Sequence, residues 1–199
     1  MVNRVAERPA AATGDTSLIQ QALRQDALAW EQLIRRYQEP VFRLAYLLLG
    51  DGAEADDVAQ ETFIRAYLHL AQFDTSRPLR PWLLQIAANL ARNRHRSLSR
   101  YWEALRRFWQ SQLNEDDTDA LSLTLPQQQA QTLWQAVRQL RREYQETVYL
   151  RYFLELSEAE VAEALQIAPG TVKSRLHRAI KQLRGMIELE FPELAEREA

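Results

Sequence analysis

The side chains best equipped to do chemistry in this chain are clustered cations and short hydrogen-bonding groups. Thr171, Lys173, Ser174, Arg175, His177, Arg178 and Lys181 crowd into one short segment, and no acid interrupts it between Pro169 and Arg184. Arginine and lysine meet phosphate oxygens or guanine edges, while serine, threonine and histidine supply shorter hydrogen bonds. A second basic stretch runs from Arg77 to Arg107 with Glu103 as its single acid. Within it, Asn89 and Asn93 lie one helical turn apart, preceded by Trp82 and flanked by Arg92, Arg94, Arg96 and Arg100. Cationic, amide and aromatic groups in that mixture suit single-stranded nucleic acid, whose exposed bases stack or enter pockets. A third set has the opposite sign. Asp57, Gln60 and Glu61 fall at i, i+3 and i+4 and share a helix face, which by itself also fits a solvated acidic surface.

Other chemistry is poorly served. His69, His95 and His177 are scattered, cysteine is absent, and there is no glycine-rich phosphate loop or nucleophile motif. An enzyme is therefore not expected, nor a metal or other cofactor. The lack of cysteine fits a reducing cytoplasm. Residues Met1 to Asp15 hold no apolar stretch of signal-peptide length, and no run is long enough to span a bilayer, so a soluble, cytoplasmic chain without membrane insertion is expected. The net charge of −2 excludes a uniformly basic coat but not one basic face.

The elements that must position these groups read as helices. Only five glycines occur, and long stretches rich in Ala, Leu, Arg, Gln and Glu favour an all-α fold. Residues 1–15 read as a disordered arm. From Thr16, Leu18, Ile19, Ala22 and Leu23 give a short amphipathic helix; Ala29, Trp30, Leu33, Ile34 and Tyr37 give a second, which Pro40 is expected to interrupt or end. Val41 to Leu48 forms a third, closed by Gly50-Asp51-Gly52. A fourth runs from Ala53 through Val58, Phe63, Ile64 and Tyr67 to about Phe73. After a polar loop from Asp74 to Pro81, Trp82, Leu83, Ile86, Ala87 and Leu90 mark a fifth, extending into the basic run. By itself Trp82 reads as core. Tyr101 to Trp109 reads as a separate short helix, and Asn114 to Gln129 as a linker.

A second domain begins near Ala130, with helices around Leu133, Val137 and Leu140, then Val148, Tyr149 and Tyr152. Ser157-Glu158-Ala159-Glu160 is a capping box opening a third helix, Gln166 to Ala168 is a tight turn, and Pro169 suits the first position of the last helix. This is a helix-turn-helix. On the last helix Val172, Leu176, Ala179, Ile180 and Leu183 fall on one stripe, which turns the basic residues outward.

Three segments together resemble the extracytoplasmic-function group of the sigma-70 family of RNA polymerase sigma factors: Asp57 to Phe63, Phe73-Asp74 to Asn93, and Gly170-Thr171-Val172-Lys173-Ser174-Arg175. The resemblance spans about Asp26 to Ile187. It implies two small helical domains, a domain 2-like bundle over 16–98 and a domain 4-like helix-turn-helix over 130–190, joined by a flexible linker over 99–129 and followed by a tail over 191–199. It also implies a subunit that directs core RNA polymerase to promoters without performing catalysis. Asp57, Gln60 and Glu61 match the surface that docks on polymerase, at the β′ clamp, with the β subunit a further partner. Asn89 matches the residue lining a pocket for a flipped base of the −10 element, with the loop from Asp74 to Arg80 as its other wall. Trp82, Arg92, Asn93 and Arg96 complete the −10 set, with Asn93 and the arginines after it on the strand's phosphates. Lys173, Ser174, His177 and Arg178 match positions reading the −35 element, with Thr171 and Arg175 on the backbone. Promoter DNA and an anti-sigma factor are the other implied partners.

Two other readings remain at this level. A two-domain regulator could use its helix-turn-helix alone at an operator, and a helical adaptor could bind only protein. The acidic cluster followed by the Trp/Asn/Arg segment disfavours the first, and the basic last helix disfavours the second. The acids Glu115, Asp116, Asp117 and Asp119 fit either an imitation of nucleic acid or a solvated linker.

Overall fold

The computed structural model describes residues 10–108 and 133–190, with side chains over 15–94 and 133–189. The expected tail over 191–199, the first nine residues, the acidic linker segment and Trp109 lie outside the described residues. The chain divides into two compact units whose main change-over falls between Arg92 and Asn93. Every regular element among the described residues is helical.

In the first unit, α1 spans Ala10–Leu23, so residues 10–15 are helix and not the expected arm. Asp15 lies on its buried side, one turn before Ile19, and is only 4% exposed. Its carboxylate accepts hydrogen bonds from Arg36 (2.5 Å) and from the Tyr37 hydroxyl. Burial and this bond push the Tyr37 phenol well above its ordinary range. The turn after α1 places Gln25 at φ 67°, and Asp26 then caps the next helix, accepting from the amides of Leu28 (3.0 Å) and Ala29 (3.3 Å).

Helix α2 spans Ala27–Leu49 without a break, with Pro40 inside it. The expected interruption does not occur. An interior proline costs about 3 kcal/mol through its missing donor and ring clash. Buried Leu33, Tyr37, Val41 and Leu44 recur on one face across the proline, and each large side chain gains about 1.5–3 kcal/mol on burial. The continuous face wins. Gly50, at φ 75°, ends the helix by donating to the Tyr46 carbonyl at 2.8 Å, and Asp51 caps α3 through the Glu54 amide at 2.8 Å.

Helix α3, Gly52–His69, buries Ala55, Val58, Ala59, Thr62, Phe63 and Ala66 and passes into a 3-10 turn over Leu70–Gln72. Ile64 and Tyr67, expected among its apolar positions, are exposed, while the smaller Thr62 and Ala66 lie buried beside Phe63. Helix α4 spans Leu79–Phe108 as 30 continuous residues. The sequence instead suggested a helix starting after Pro81 and a separate one over 101–109. No glycine or proline follows Pro81 before Phe108, so nothing stops propagation, and Pro81 sits in the first turn, where its missing amide costs least. Leu90 of α4 closes a cluster with Ala45, Ala55 and Val58, flanked by Phe42, Leu49 and Ile86.

Beyond α4, the second unit continues with α5 over 133–139. Helix α6, Arg142–Val148, widens into a π turn over Tyr149–Phe153, where the Leu154 amide reaches the Tyr149 carbonyl at 2.9 Å. Arg151 donates to the Leu156 carbonyl at 2.9 Å and steadies the following bend. Trp134, Tyr149 and Phe153 pack together, with ring centroids 5.5–5.9 Å apart. Helix α7, Glu158–Leu165, and α8, Pro169–Glu190, complete the unit.

Candidate nucleic-acid interface

The expected capping box is present in full. The Ser157 hydroxyl accepts from the Glu160 amide at 3.3 Å, and the Ser157 amide donates to the Glu160 carboxylate at 2.8 Å. Gln166 takes a left-handed conformation (φ 54°) at the turn, where the Ile167 amide closes on the Ala162 carbonyl at 3.0 Å. Together these bonds set the start of α8. Its anchor is Val172, Leu176 and Ala179, all buried. Ile180, expected on that stripe, is exposed.

With that face buried, Lys173, Ser174, His177 and Arg178 project to solvent. Thr171 is half-buried, and its carbonyl accepts from the Ser174 hydroxyl at 3.0 Å. Lys173 stands 3.7 Å from Glu158, an exposed pairing that costs little to break. Arg175 differs from its neighbours, turning toward Glu143 of α6 at 3.3 Å. Neither acid was singled out in the sequence; each lies on another helix, and no short-range pattern links it to its cation.

Helix α4 carries the second set on the face opposite its buried Leu83, Leu84, Ala87, Leu90 and Ala91. Trp82, Asn89 and Asn93 follow one another at helical spacing, about 10 Å and then about 6 Å along the axis. Asn89 and Asn93 are exposed, and the Asn89 amide oxygen accepts from the Arg92 guanidinium. Trp82 is half-buried, its ring 4.7 Å from that of Phe73 at 36°. It is therefore neither plain core nor free. The helix backbone continues through Arg96, whose side chain lies outside those described. The loop beside Trp82 is a turn nucleated by Asp74, which accepts from the Ser76 amide at 2.9 Å. Hydrogen bonds from the Ser76 side chain and then its amide hold the Asp74 carboxyl below its usual value. The loop is shorter than expected, since Leu79 and Arg80 already belong to α4.

Helix α3 brings the acidic set together. Asp57 and Gln60 are exposed, and Glu61 pairs with Arg65 at 2.5 Å. That exposed pair contributes about 0.3–0.5 kcal/mol and is easily exchanged.

The sigma-70 region 2 model matches residues 33–101 and the sigma-70 region 4 model residues 124–183. The chain is 33% identical over 175 residues to the ECF RNA polymerase sigma factor SigW of Bacillus subtilis, covering 83% of this chain and 92% of that protein. It belongs to the extracytoplasmic-function group of the sigma-70 family. SigL of Mycobacterium tuberculosis strain H37Rv, another such factor, is 35% identical over 161 residues, 80% of this chain and 89% of SigL. The fold also resembles that of CnrH, solved in complex with the cytosolic domain of CnrY, with a TM-score of 0.67 and 23% identity over 88% of this chain and 98% of CnrH. The sigma factor thus acts in promoter-specific transcription initiation, and its two family regions fall on the α2–α4 bundle and the helix-turn-helix. No helix among its described residues is long and apolar enough to cross a membrane.

Proposed function

We propose that the sigma factor brings core RNA polymerase to its promoters in the cytoplasm by holding DNA at two separate places. Residues 130–190 grip the −35 duplex through α8, with Lys173, Ser174, His177 and Arg178 in the major groove and Thr171 at the backbone. Residues 16–98 dock on the polymerase clamp through Asp57, Gln60 and Glu61, and take up one flipped base of the −10 element between Asn89, Trp82 and the Asp74 loop. Arg92, Asn93 and Arg96 hold the strand that carries it, and the linker over 99–129 lets polymerase keep both grips in register. Melting then draws on captured-base energy, which offsets an unstacking cost of a few kcal/mol. It needs no catalytic residue. An anti-sigma factor is the expected regulator, as the similar fold of the sigma factor RpoE, solved in complex with the anti-sigma factor NepR from Bartonella quintana, suggests.

The observation that carries this reading is the exposed Asn89, held by Arg92 on the outer face of a helix whose inner face is fixed in the core. Run-off transcription with permanganate footprinting tests it. Asn89→Ala is expected to bind core polymerase normally while losing strand opening at the −10 element. Loss of polymerase binding as well would mean that Asn89 is structural. A wild-type chain that fails to co-purify with core polymerase would favour the autonomous regulator.

A further inference from the structure

Of the two cations at the start of α8 that pair with an acid on a different helix, Arg175 makes the more shielded contact. Its side chain is 21% exposed and donates to Glu143 of α6 at 3.3 Å, with Glu143 46% exposed. Lys173 also has an acid nearby, but that pair is looser, at 3.7 Å with side chains 70% and 41% exposed. Position on the helix explains the difference. At about 100° per residue, Arg175 emerges about 60° from buried Val172 and about 100° from exposed Ser174, at the seam between α8 and α6.

We infer that Glu143 and Arg175 form a strut that fixes the pitch of α8 in the groove, so that both are positioning residues and Arg175 is not itself a phosphate contact. The inference rests on α8 reading the −35 duplex. An α-helix in the major groove makes several base-edge contacts from one face. A small rotation about the buried Val172–Leu176–Ala179 stripe misplaces them together. The apolar stripe alone resists separation of the helices but only weakly resists rotation. An ion pair at the seam supplies the missing constraint, and arginine's planar fork suits it better than lysine.

The two roles predict opposite signs for Glu143. Removing an acid near DNA ordinarily lessens repulsion and tightens binding, whereas removing half of a strut weakens it. The experiment uses the full-length sigma factor in holoenzyme, with promoter affinity measured across a salt series. Glu143→Gln and Arg175→Gln are each expected to weaken binding by a factor of about 5–10, the size of one partly shielded ion-pair coupling. The slope of log affinity against log salt should stay unchanged. The reference variant Lys173→Gln, which removes one cation facing the DNA, should lower the slope magnitude by about 0.9. The charge swap Glu143→Arg with Arg175→Glu should recover most of the affinity and rule out a folding defect as the cause. Unchanged or tighter binding by Glu143→Gln, a slope loss of about 0.9 in Arg175→Gln, or no recovery in the swap would each overturn the strut. Affinity and slope unchanged in both Lys173→Gln and Arg178→Gln would instead sink the reading of α8 as the DNA helix.

Discussion

Replacing Tyr149 by Phe is expected to make the helix-turn-helix unit more stable, against the usual direction for a core substitution. The Tyr149 side chain is 0% exposed, and its hydroxyl has no hydrogen-bond partner among the described residues. Its ring lies 5.8 Å from Trp134 and 5.5 Å from Phe153, contacts that a phenylalanine ring keeps. Only the hydroxyl's lost hydration is relieved, and leaving such a group unpaired costs about 1–3 kcal/mol. For a unit of this size each kcal/mol raises the melting temperature by about 4–8 °C. Scanning calorimetry of the full chain should therefore show the transition assigned to α5–α8 moving up by at least about 4 °C, with promoter affinity unchanged. The same burial pushes the phenol from 10.0 up to about 12. Below pH 10 both folded and unfolded chains keep the proton, and the folded state bears no penalty from ionisation. As pH rises from 10 toward about 12 the unfolded chain ionises first and stability falls. The loss tends to about 3 kcal/mol at most. The Phe variant should lose this alkaline sensitivity in that transition. A melting temperature equal to or below that of the parent chain, together with the same alkaline slope, would refute the reasoning.

Pro40→Ala should raise the stability of the first unit by about 1–3 kcal/mol, since the helix already runs through this position and gains a donor there; a decrease in urea melts would mean the proline's shape is needed. Changing Asp57 and Glu61 together to Lys should weaken assembly with core polymerase at least tenfold and steepen the effect at low salt, about 1.4 kcal/mol or more; undiminished co-purification would remove α3 from the docking surface. Arg178→Ala should cost about 1–3 kcal/mol in promoter binding and relax preference at one −35 position; selection from randomised −35 sequences checks this, and an unaltered preference would remove Arg178 from the reading set.

Sequence alone determined what short-range rules govern. The Ser157–Glu160 box, the Gly50-Asp51-Gly52 break and the 172–176–179 stripe each lie within a turn or two of chain, and the structure places each as its local chemistry requires. The shared face of Asp57, Gln60 and Glu61 and the one-turn spacing of Asn89 and Asn93 follow from the same periodicity.

Tertiary structure decided the matters in which two local preferences competed or distant residues met. Pro40 argued for a break, and the continuous buried face of α2 overruled it. Ile64 and Tyr67 are as apolar as a core residue needs to be, yet the packing of α3 buries Thr62, Phe63 and Ala66 and leaves those two outside. Asp15 is buried because Arg36 and Tyr37, more than twenty residues away, satisfy it. Arg175 joins Glu143 across 32 residues. Helix periodicity states which residues share a face; only the packed neighbours determine which face is covered and which partners its polar groups find.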